Sequence, residues 1–166
     1  AADINYFLGI RDSDGVLCAD FEEAQTGATR GLNHPICGTT PLTGGVWYHA
    51  AATYDGTTWR LYLNGNVDAV LTVGQPANSA NTSQLAFGTS MTTGNSALGF
   101  FDGALDEIRI WSYARSTAEL QSTINAKLAG PQAGLLGRWA MDEGTGATVT
   151  DSSGNANNGT IAGTGF

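Results

Sequence analysis

Positive charge is scarce in this sequence of 166 residues. Seven residues are Lys or Arg, with Lys127 the single lysine, and fifteen are Asp or Glu, so the formal net charge is -8. Phosphate backbones and anionic membrane surfaces repel a chain of this charge. We therefore expect no nucleic-acid partner, whereas Ca²⁺ and neutral ligands such as glycans are compatible with an acidic surface.

Long hydrophobic runs are also missing. No apolar stretch approaches the ~20 residues that a membrane-spanning helix needs, and no signal peptide opens the sequence. We expect a soluble chain with no membrane insertion, and any secretion signal outside it. The length of 166 residues suits one domain with a sizeable core.

Cysteine is limited to two residues, Cys18 and Cys37. Two reduced cysteines are also common in cytosolic proteins, so the pair alone decides nothing. If residues 16–22 and 34–39 form a hairpin around the polar loop 25–30, Cys18 lies opposite Cys37. Cross-strand cysteines at this spacing can close a disulfide. We predict this disulfide and, with it, a secreted or cell-surface location.

Glycine is abundant, with 23 residues, and strand-like runs recur between turn residues. The clearest hairpin joins residues 59–63 to 67–73 through Asn64 and Gly65, because both positions of this turn type require positive φ. After the strands, Ser116 and Glu119 have the spacing of a capping box at the start of one amphipathic helix. Many short strands with one helix favour a capped β-sandwich.

Three motifs cover most of the chain. The first is residues 47–56 (WYHAAATYDG) with 59–65 (WRLYLNG), the second is residues 101–116 (FDGALDEIRIWSYARS), and the third is residues 134–146 (GLLGRWAMDEGTG) with 151–155 (DSSGN). Together they resemble the laminin-G-like, concanavalin A-like jelly-roll family. The resemblance implies an all-β fold: an antiparallel two-sheet jelly-roll sandwich with one short helix.

The order of the motifs differs from that of the family, in which the third motif normally opens a domain. The resemblance therefore implies a jelly roll over residues 1–130 that lacks the usual opening strands, and a segment over 131–166 that resembles the opening of a repeat. The chain is either cut from a tandem array or permuted. Uncovered strand edges invite completion by the same chain or by a neighbouring copy.

Paired carboxylates are the nearest approach to a catalytic pattern. Related glycoside hydrolases place acids at i, i+2 and i+4 of one strand, and Asp20 and Glu22 have this spacing. Cys18 occupies the position that completes the triplet. Two solvated acids on a hydrophilic face explain the pair better, so we expect no enzyme activity.

Calcium is the cofactor that the resemblance implies, in a structural role. Related sandwiches bind it through an Asp of the last strand, which points to Asp106, with Asp142, Asp151 and Asn155 as companions. Ca²⁺ prefers about six to eight oxygen ligands. The alternative is that residues 151–154 form an Asx-type turn.

Exposed aromatic rings are candidates for ligand binding, because sugar rings stack on them. Tyr48, Tyr62, Trp111 and Tyr113 lie on strand faces opposite the clearest core residues. In a two-layer sandwich, core packing is the commoner role of such aromatics.

These patterns predict a non-catalytic extracellular structural or adhesion module that associates with neighbouring copies of itself by sharing strands. The alternative is a carbohydrate-binding, lectin-like module, either dependent on calcium or independent of it. Its partners are then glycans or another extracellular protein. A glycan-active enzyme is the weakest hypothesis.

Overall fold

The structure of the chain is a computed structural model that describes residues 5–24, 31–79, 84–91 and 96–163. The chain divides into two compact units. Unit 1 consists of Ala1–Phe101 and Ser116–Ile124, and unit 2 consists of Asp102–Arg115 and Asn125–Phe166.

Unit 1 contains two three-stranded sheets, a two-stranded ribbon and a short helix. Its elements are β1 (Tyr6–Ile10), β2 (Val16–Phe21), β3 (Ile36–Pro41), β4 (Ala50–Tyr54), β5 (Thr58–Leu63), β6 (Asn66–Thr72), β7 (Ser90–Met91), β8 (Ala97–Leu98) and α1 (Thr117–Thr123). The sheet orders are β1-β2-β3, β4-β5-β6 and β7-β8. All of these strands pair antiparallel.

Unit 2 contains two antiparallel ribbons. Its strands are β9 (Ile108–Trp111), β10 (Leu135–Trp139), β11 (Thr148–Val149) and β12 (Gly159–Thr160), paired as β10-β9 and β11-β12. The predicted antiparallel all-β fold with one helix is therefore confirmed for the described part of the chain. The expected division at residue 131 stays a prediction, although β9 and β10, which lie on either side of it, pair directly.

The two three-stranded sheets of unit 1 share one hydrophobic core. Its buried members are the residues Leu17, Ala19, Phe21, Ile36, Trp59, Leu61 and Leu63. Residues two apart on a strand face the same side, so the alternation on β2 and β5 places one row from each sheet in this core. Burial of such side chains is the main favourable term in folding, and here it produces the two-layer packing of a sandwich.

A disulfide joins β2 to β3. Cys18 and Cys37 are directly opposite in the antiparallel register, with 4.1 Å between their Cα atoms and an S–S bond of 2.05 Å. The predicted hairpin and the predicted disulfide are thus confirmed. The polar loop 25–30 that connects the two strands lies outside the described residues.

The core-facing row of residues on the first sheet continues onto β1. Tyr6, Leu8 and Ile10 lie opposite Phe21, Ala19 and Leu17 in the register and therefore face the same side. Yet these β1 residues are 61%, 43% and 41% exposed, whereas their β2 neighbours are buried. The inner face of this sheet therefore extends beyond what covers it in the described structure.

The helix α1 spans the seven residues Thr117–Thr123. The capping box is present, because Ser116 Oγ accepts a hydrogen bond from Glu119 N while Ser116 N donates to Glu119 Oε2. The helix ends at Thr123, whose hydroxyl donates to the carbonyl oxygen of Glu119, and Ser122 does the same. Such side-chain bonds to backbone carbonyls disfavour the helix. No helix in the described segments is long and apolar enough to cross a membrane.

Candidate ligand-binding surface

Two of the four predicted ligand-binding aromatics lie together at the end of β9 in unit 2. The ring centroids of Trp111 and Tyr113 are 5.9 Å apart, and their planes meet at 73°. This edge-to-face arrangement is a favourable geometry for an aromatic pair. Trp111 is half-buried, whereas Tyr113 is 44% exposed.

The Tyr113 ring also contacts the backbone of Gly134, just before β10. A Cβ atom on Gly134 would lie 2.7 Å from Cε1 and 2.8 Å from Cδ1 of the tyrosine ring. Ser112 N donates to the carbonyl oxygen of Gly134 at 2.8 Å, which fixes this approach. Gly134 has φ +79°, so glycine is favoured here for both its conformation and its lack of a side chain.

Arg115 covers the Trp111 ring. Its guanidinium carbon lies 4.1 Å from the ring centroid, and the residue is only 8% exposed. This is a cation–π contact at a largely desolvated position. Neither Arg115 nor Gly134 was predicted to belong to the site. Their sequence signals are weak, because one arginine and one glycine in a loop have many roles.

The other two predicted aromatics lie in unit 1. Tyr48 packs against the hydrophobic core, and its hydroxyl accepts a hydrogen bond from Thr43 N at 3.1 Å. Tyr62 is 2% exposed. Tyr62 lies on the face of β5 that points away from the core residues Trp59, Leu61 and Leu63, and we expected that face to be exposed. The expectation is wrong at Tyr62, because this residue is buried. We assign neither tyrosine to the ligand surface.

Asp151, the most buried of the predicted calcium ligands, has both carboxylate oxygens bonded to protein donors. Oδ1 accepts from Arg138 N at 2.9 Å and Ser153 N at 2.8 Å, and Oδ2 accepts from Ser153 Oγ and Asn157 N, both at 2.9 Å. Burial raises its pKa, but these hydrogen bonds outweigh burial and hold the pKa at about 2. The segment is thus an Asx-type turn tied to β10.

The remaining predicted ligands do not gather around Asp151 as a set of free oxygens. Asp142 Oδ2 pairs with Lys127 Nζ at 2.5 Å, Asn155 Nδ2 donates to backbone carbonyls of β10, and Asp106 is exposed. Among the described residues, no group of three or more His, Cys, Asp or Glu side chains is placed to hold a metal. The described residues therefore show no carboxylate cluster at these positions, and the calcium site stays a prediction of the resemblance.

The buried network of unit 2 includes a carboxylate shared by two arginines. Glu107 accepts hydrogen bonds from both Arg109 and Arg138, and Arg109 also donates to the carbonyl oxygen of Ala126. Burial raises the pKa of Glu107, but the bonds from Arg138 and Arg109 lower it overall. This network joins β9 to β10 and fixes the strands from which the aromatic pair projects.

The paired acids Asp20 and Glu22 lie in unit 1, at the end of β2. Asp20 is partly buried, and burial raises the pKa of its carboxyl group, while Glu22 is 5% exposed. Cys18, at the third position of the row, is bonded to Cys37. The row therefore offers two carboxylates, one of them largely inaccessible to solvent.

Two solved structures of longer chains are similar to parts of this chain. One is described as a "putative carbohydrate binding protein" from Bacteroides ovatus, with TM-score 0.65, 23% identity, and coverage of 95% of this chain and 45% of that chain. Another is an S-layer domain-containing protein from Clostridium thermocellum, with TM-score 0.42, 22% identity and coverage of 70% and 60%. At such identities the first likeness shows the fold alone. This chain spans less than two thirds of either protein.

No curated protein matches the chain significantly. The sequence profile of one family does match, over residues 2–121. That range contains the first two of the three motifs and all of the strands of unit 1. The chain belongs to the concanavalin A-like lectin/glucanases superfamily.

Proposed function

We propose that this chain is a non-catalytic carbohydrate-binding module of a secreted protein. The observation that carries the proposal is the aromatic pair of unit 2, in which Trp111 and Gly134 contact the ring of Tyr113, a residue that is 44% exposed. Membership of a superfamily described by its lectins and glucanases, and the carbohydrate-binding description of the similar Bacteroides protein, both support a sugar ligand.

The burial of Glu22, next to Asp20 at the end of β2, argues against hydrolysis by this pair of acids. A glycosidase needs two accessible acids that flank the scissile bond. Glu22 is 5% exposed and the third position of the row is a bridged cysteine, so the row does not offer such a pair. The same disulfide supports secretion, because disulfides persist in oxidising compartments.

A glycan microarray tests the proposal directly. We expect the chain to bind a subset of glycans, Tyr113→Ala to lose that signal, and Tyr6→Ala, which removes a 61% exposed ring in unit 1, to keep it. Absence of glycan binding by the wild-type chain would contradict the function. Release of reducing ends from a bound glycan would contradict the non-catalytic part.

A calcium-dependent form of this function stays a prediction of the family resemblance. If it is correct, adding CaCl₂ raises the melting temperature or glycan affinity of the EDTA-treated chain, and Asp106→Asn abolishes that gain. The hydrogen-bonded state of Asp151 favours no response. Titration calorimetry with CaCl₂ alone measures the affinity.

Structural association by strand sharing is a second candidate function, and β1 favours it. Its residues Tyr6, Leu8 and Ile10 extend the core row of the first sheet but are 41–61% exposed. In the described structure β1 pairs only with β2. An edge strand with apolar side chains is a template for a further strand.

Concentration-dependent light scattering tests this association. We expect the chain to form oligomers that Leu8→Lys weakens, because a charge on the uncovered row opposes burial by a neighbour. Leu136→Lys is the matched control, since Leu136 is similarly exposed (47%) but lies in unit 2. A monomer at every concentration would exclude strand sharing without affecting the carbohydrate-binding proposal.

A further inference from the structure

The two residues of the aromatic pair, Trp111 and Tyr113, have different roles. Arg115 covers the Trp111 ring at 4.1 Å from its centroid, and Trp111 is half-buried. Tyr113 is 44% exposed. Of the two residues, Tyr113 is therefore the more exposed to a ligand, while the Trp111 ring packs edge-to-face against its ring at a centroid distance of 5.9 Å.

Gly134 determines where the Tyr113 ring lies. The absence of a side chain at this glycine is what allows the ring to sit against it, because a Cβ would come within 2.7 Å of ring carbon Cε1. Such a distance is too short for any real contact, so a side chain here displaces the ring. An immobilised ring loses little further conformational freedom when a ligand binds.

The basic side chains of unit 2 are all engaged within the protein. Arg109 and Arg138 bond Glu107, Lys127 bonds Asp142, and Arg115 lies on Trp111. These are the four Lys and Arg residues of unit 2, which also contains six acidic residues. An acidic sugar would thus meet a surface that is negative on balance and whose cations already have partners.

We propose that Tyr113 is the stacking residue for a neutral pyranose of a glycan, and that Gly134 and Trp111 are its positioning residues. This inference rests on the proposed carbohydrate-binding function and specifies its site and ligand class. The apolar face of the sugar lies on the tyrosine ring. Uncharged hydroxyl groups around it need no cationic partner.

Calorimetric titrations with oligosaccharides of two charge classes test the ligand class. The probes are neutral hexasaccharides of glucose, galactose, mannose and xylose, with a hexauronate as the charged counterpart. We expect at least one neutral probe to bind and the hexauronate to bind more weakly at low salt. Tighter binding of the hexauronate would overturn the neutral ligand class but leave the carbohydrate-binding function intact.

Substitutions at Tyr113 test the stacking role. We expect Tyr113→Ala to weaken binding of the neutral probe about tenfold, and Tyr113→Phe, which keeps the ring, to change it less than about twofold. If a neutral probe binds the wild-type chain and Tyr113→Ala equally well, the site is elsewhere and this inference is wrong. Failure of every probe to bind the wild-type chain would overturn the proposed function as well.

A pair of glycine variants tests the positioning role. Gly130→Ala is the matched control for Gly134→Ala, because Gly130 also lies in unit 2 with positive φ (+66°) but has no atoms within 4 Å of a built Cβ. Both variants strain the backbone, so both lower the melting temperature. We expect only Gly134→Ala to weaken binding, by about tenfold. Equal affinities of the two folded variants would overturn the role of Gly134.

Discussion

The interior of each of the two units is stabilised by a different kind of interaction. The buried residues of unit 1 include seven apolar side chains that form one cluster across two sheets, reinforced by the disulfide. In unit 2 the buried apolar residues Leu135, Trp139 and Val149 are accompanied by Arg115, Arg138, Asp151 and Ser153. Hydrophobic contacts dominate the first unit, and directional hydrogen bonds hold much of the second.

This difference explains how a segment rich in Gly, Asn and Ser has a fixed conformation. Asp151 and Asn155 bond to the backbone of β10, and Trp139 Nε1 donates to the carbonyl oxygen of Asn157 at 2.8 Å. Hydrogen bonds depend on geometry, whereas apolar burial is non-directional. Unit 2 should therefore be sensitive to changes of single atoms and of pH, and unit 1 to changes of volume.

The largest loss of stability is expected from a substitution in the core of unit 1. Phe21 is fully buried and contacts the rings of Tyr54 and Trp59. Phe21→Ala leaves a cavity and should lower the free energy of unfolding by about 3–5 kcal/mol, as measured by urea denaturation. Phe100→Ala, at a 76% exposed residue of the same unit, should change it by less than about 0.5 kcal/mol. Equal effects would show that the cluster does not stabilise the fold.

Removal of the disulfide should have the next largest effect. Cys18 and Cys37 close a loop with a sequence separation of 19, so the double substitution to serine should cost about 3 kcal/mol. Reduction of the wild-type chain should produce a similar loss in urea. The double variant should not respond to the reductant; if it does, the loss has another origin.

A smaller loss of stability is expected when one carboxylate oxygen of Asp151, in unit 2, is replaced. Asp151→Asn replaces an acceptor oxygen with an amide group that cannot accept the bonds from Ser153 and Asn157, which should cost about 2 kcal/mol. The exposed Asp102 gives a control of the same chemistry, Asp102→Asn. Hydrogen exchange of the β10 amides should increase in the first variant and stay unchanged in the second.

The Asp151 prediction has a defined pH dependence. The pKa of Asp151 is about 2 in the folded chain, below its ordinary value of 3.8. A lowered pKa stabilises the fold above the ordinary value, and this stabilisation is lost as the pH falls towards 2. The difference between the urea midpoints of the wild type and Asp151→Asn should therefore shrink between pH 5 and pH 2. A constant difference would contradict the role of the charged carboxylate.

The smallest effect on stability is expected from removal of an exposed ion pair. Lys127 and Asp142 are 2.5 Å apart, but their side chains are 70% and 59% exposed. Lys127→Ala should change the free energy of unfolding by less than about 0.5 kcal/mol, and salt should reduce even that. A loss comparable to that of Asp151→Asn would mean that exposed charges also hold unit 2.

Local patterns were sufficient to predict the β2–β3 and β5–β6 hairpins of unit 1 and its disulfide. Alternation places Trp59, Leu61 and Leu63 in the core, and the hairpin register sets Cys18 opposite Cys37. The burial of Tyr62 could not be predicted in this way, because alternation identifies a face but not what covers it. The pattern of a single strand therefore predicts which strand it pairs with more reliably than it predicts which of its side chains are exposed.

The site was harder to predict, because its contacts join distant segments. Tyr113 was predicted from its strand, but its support by Gly134 depends on how the end of β9 meets the start of β10. Asp151 was predicted as a metal ligand, yet both of its carboxylate oxygens accept hydrogen bonds from donors of the protein itself. Which donors surround a carboxylate depends on the fold of the whole loop, and a short motif does not contain that information.

The most direct test of the carbohydrate-binding account is fluorine NMR of the chain labelled with fluorotyrosine. The sequence has five tyrosines, so each signal can be assigned with a single Tyr→Phe variant. We predict that a neutral hexasaccharide at millimolar concentration shifts the signal of Tyr113 and leaves that of the buried Tyr62 unchanged. A glycan that binds without moving the Tyr113 signal would contradict the account.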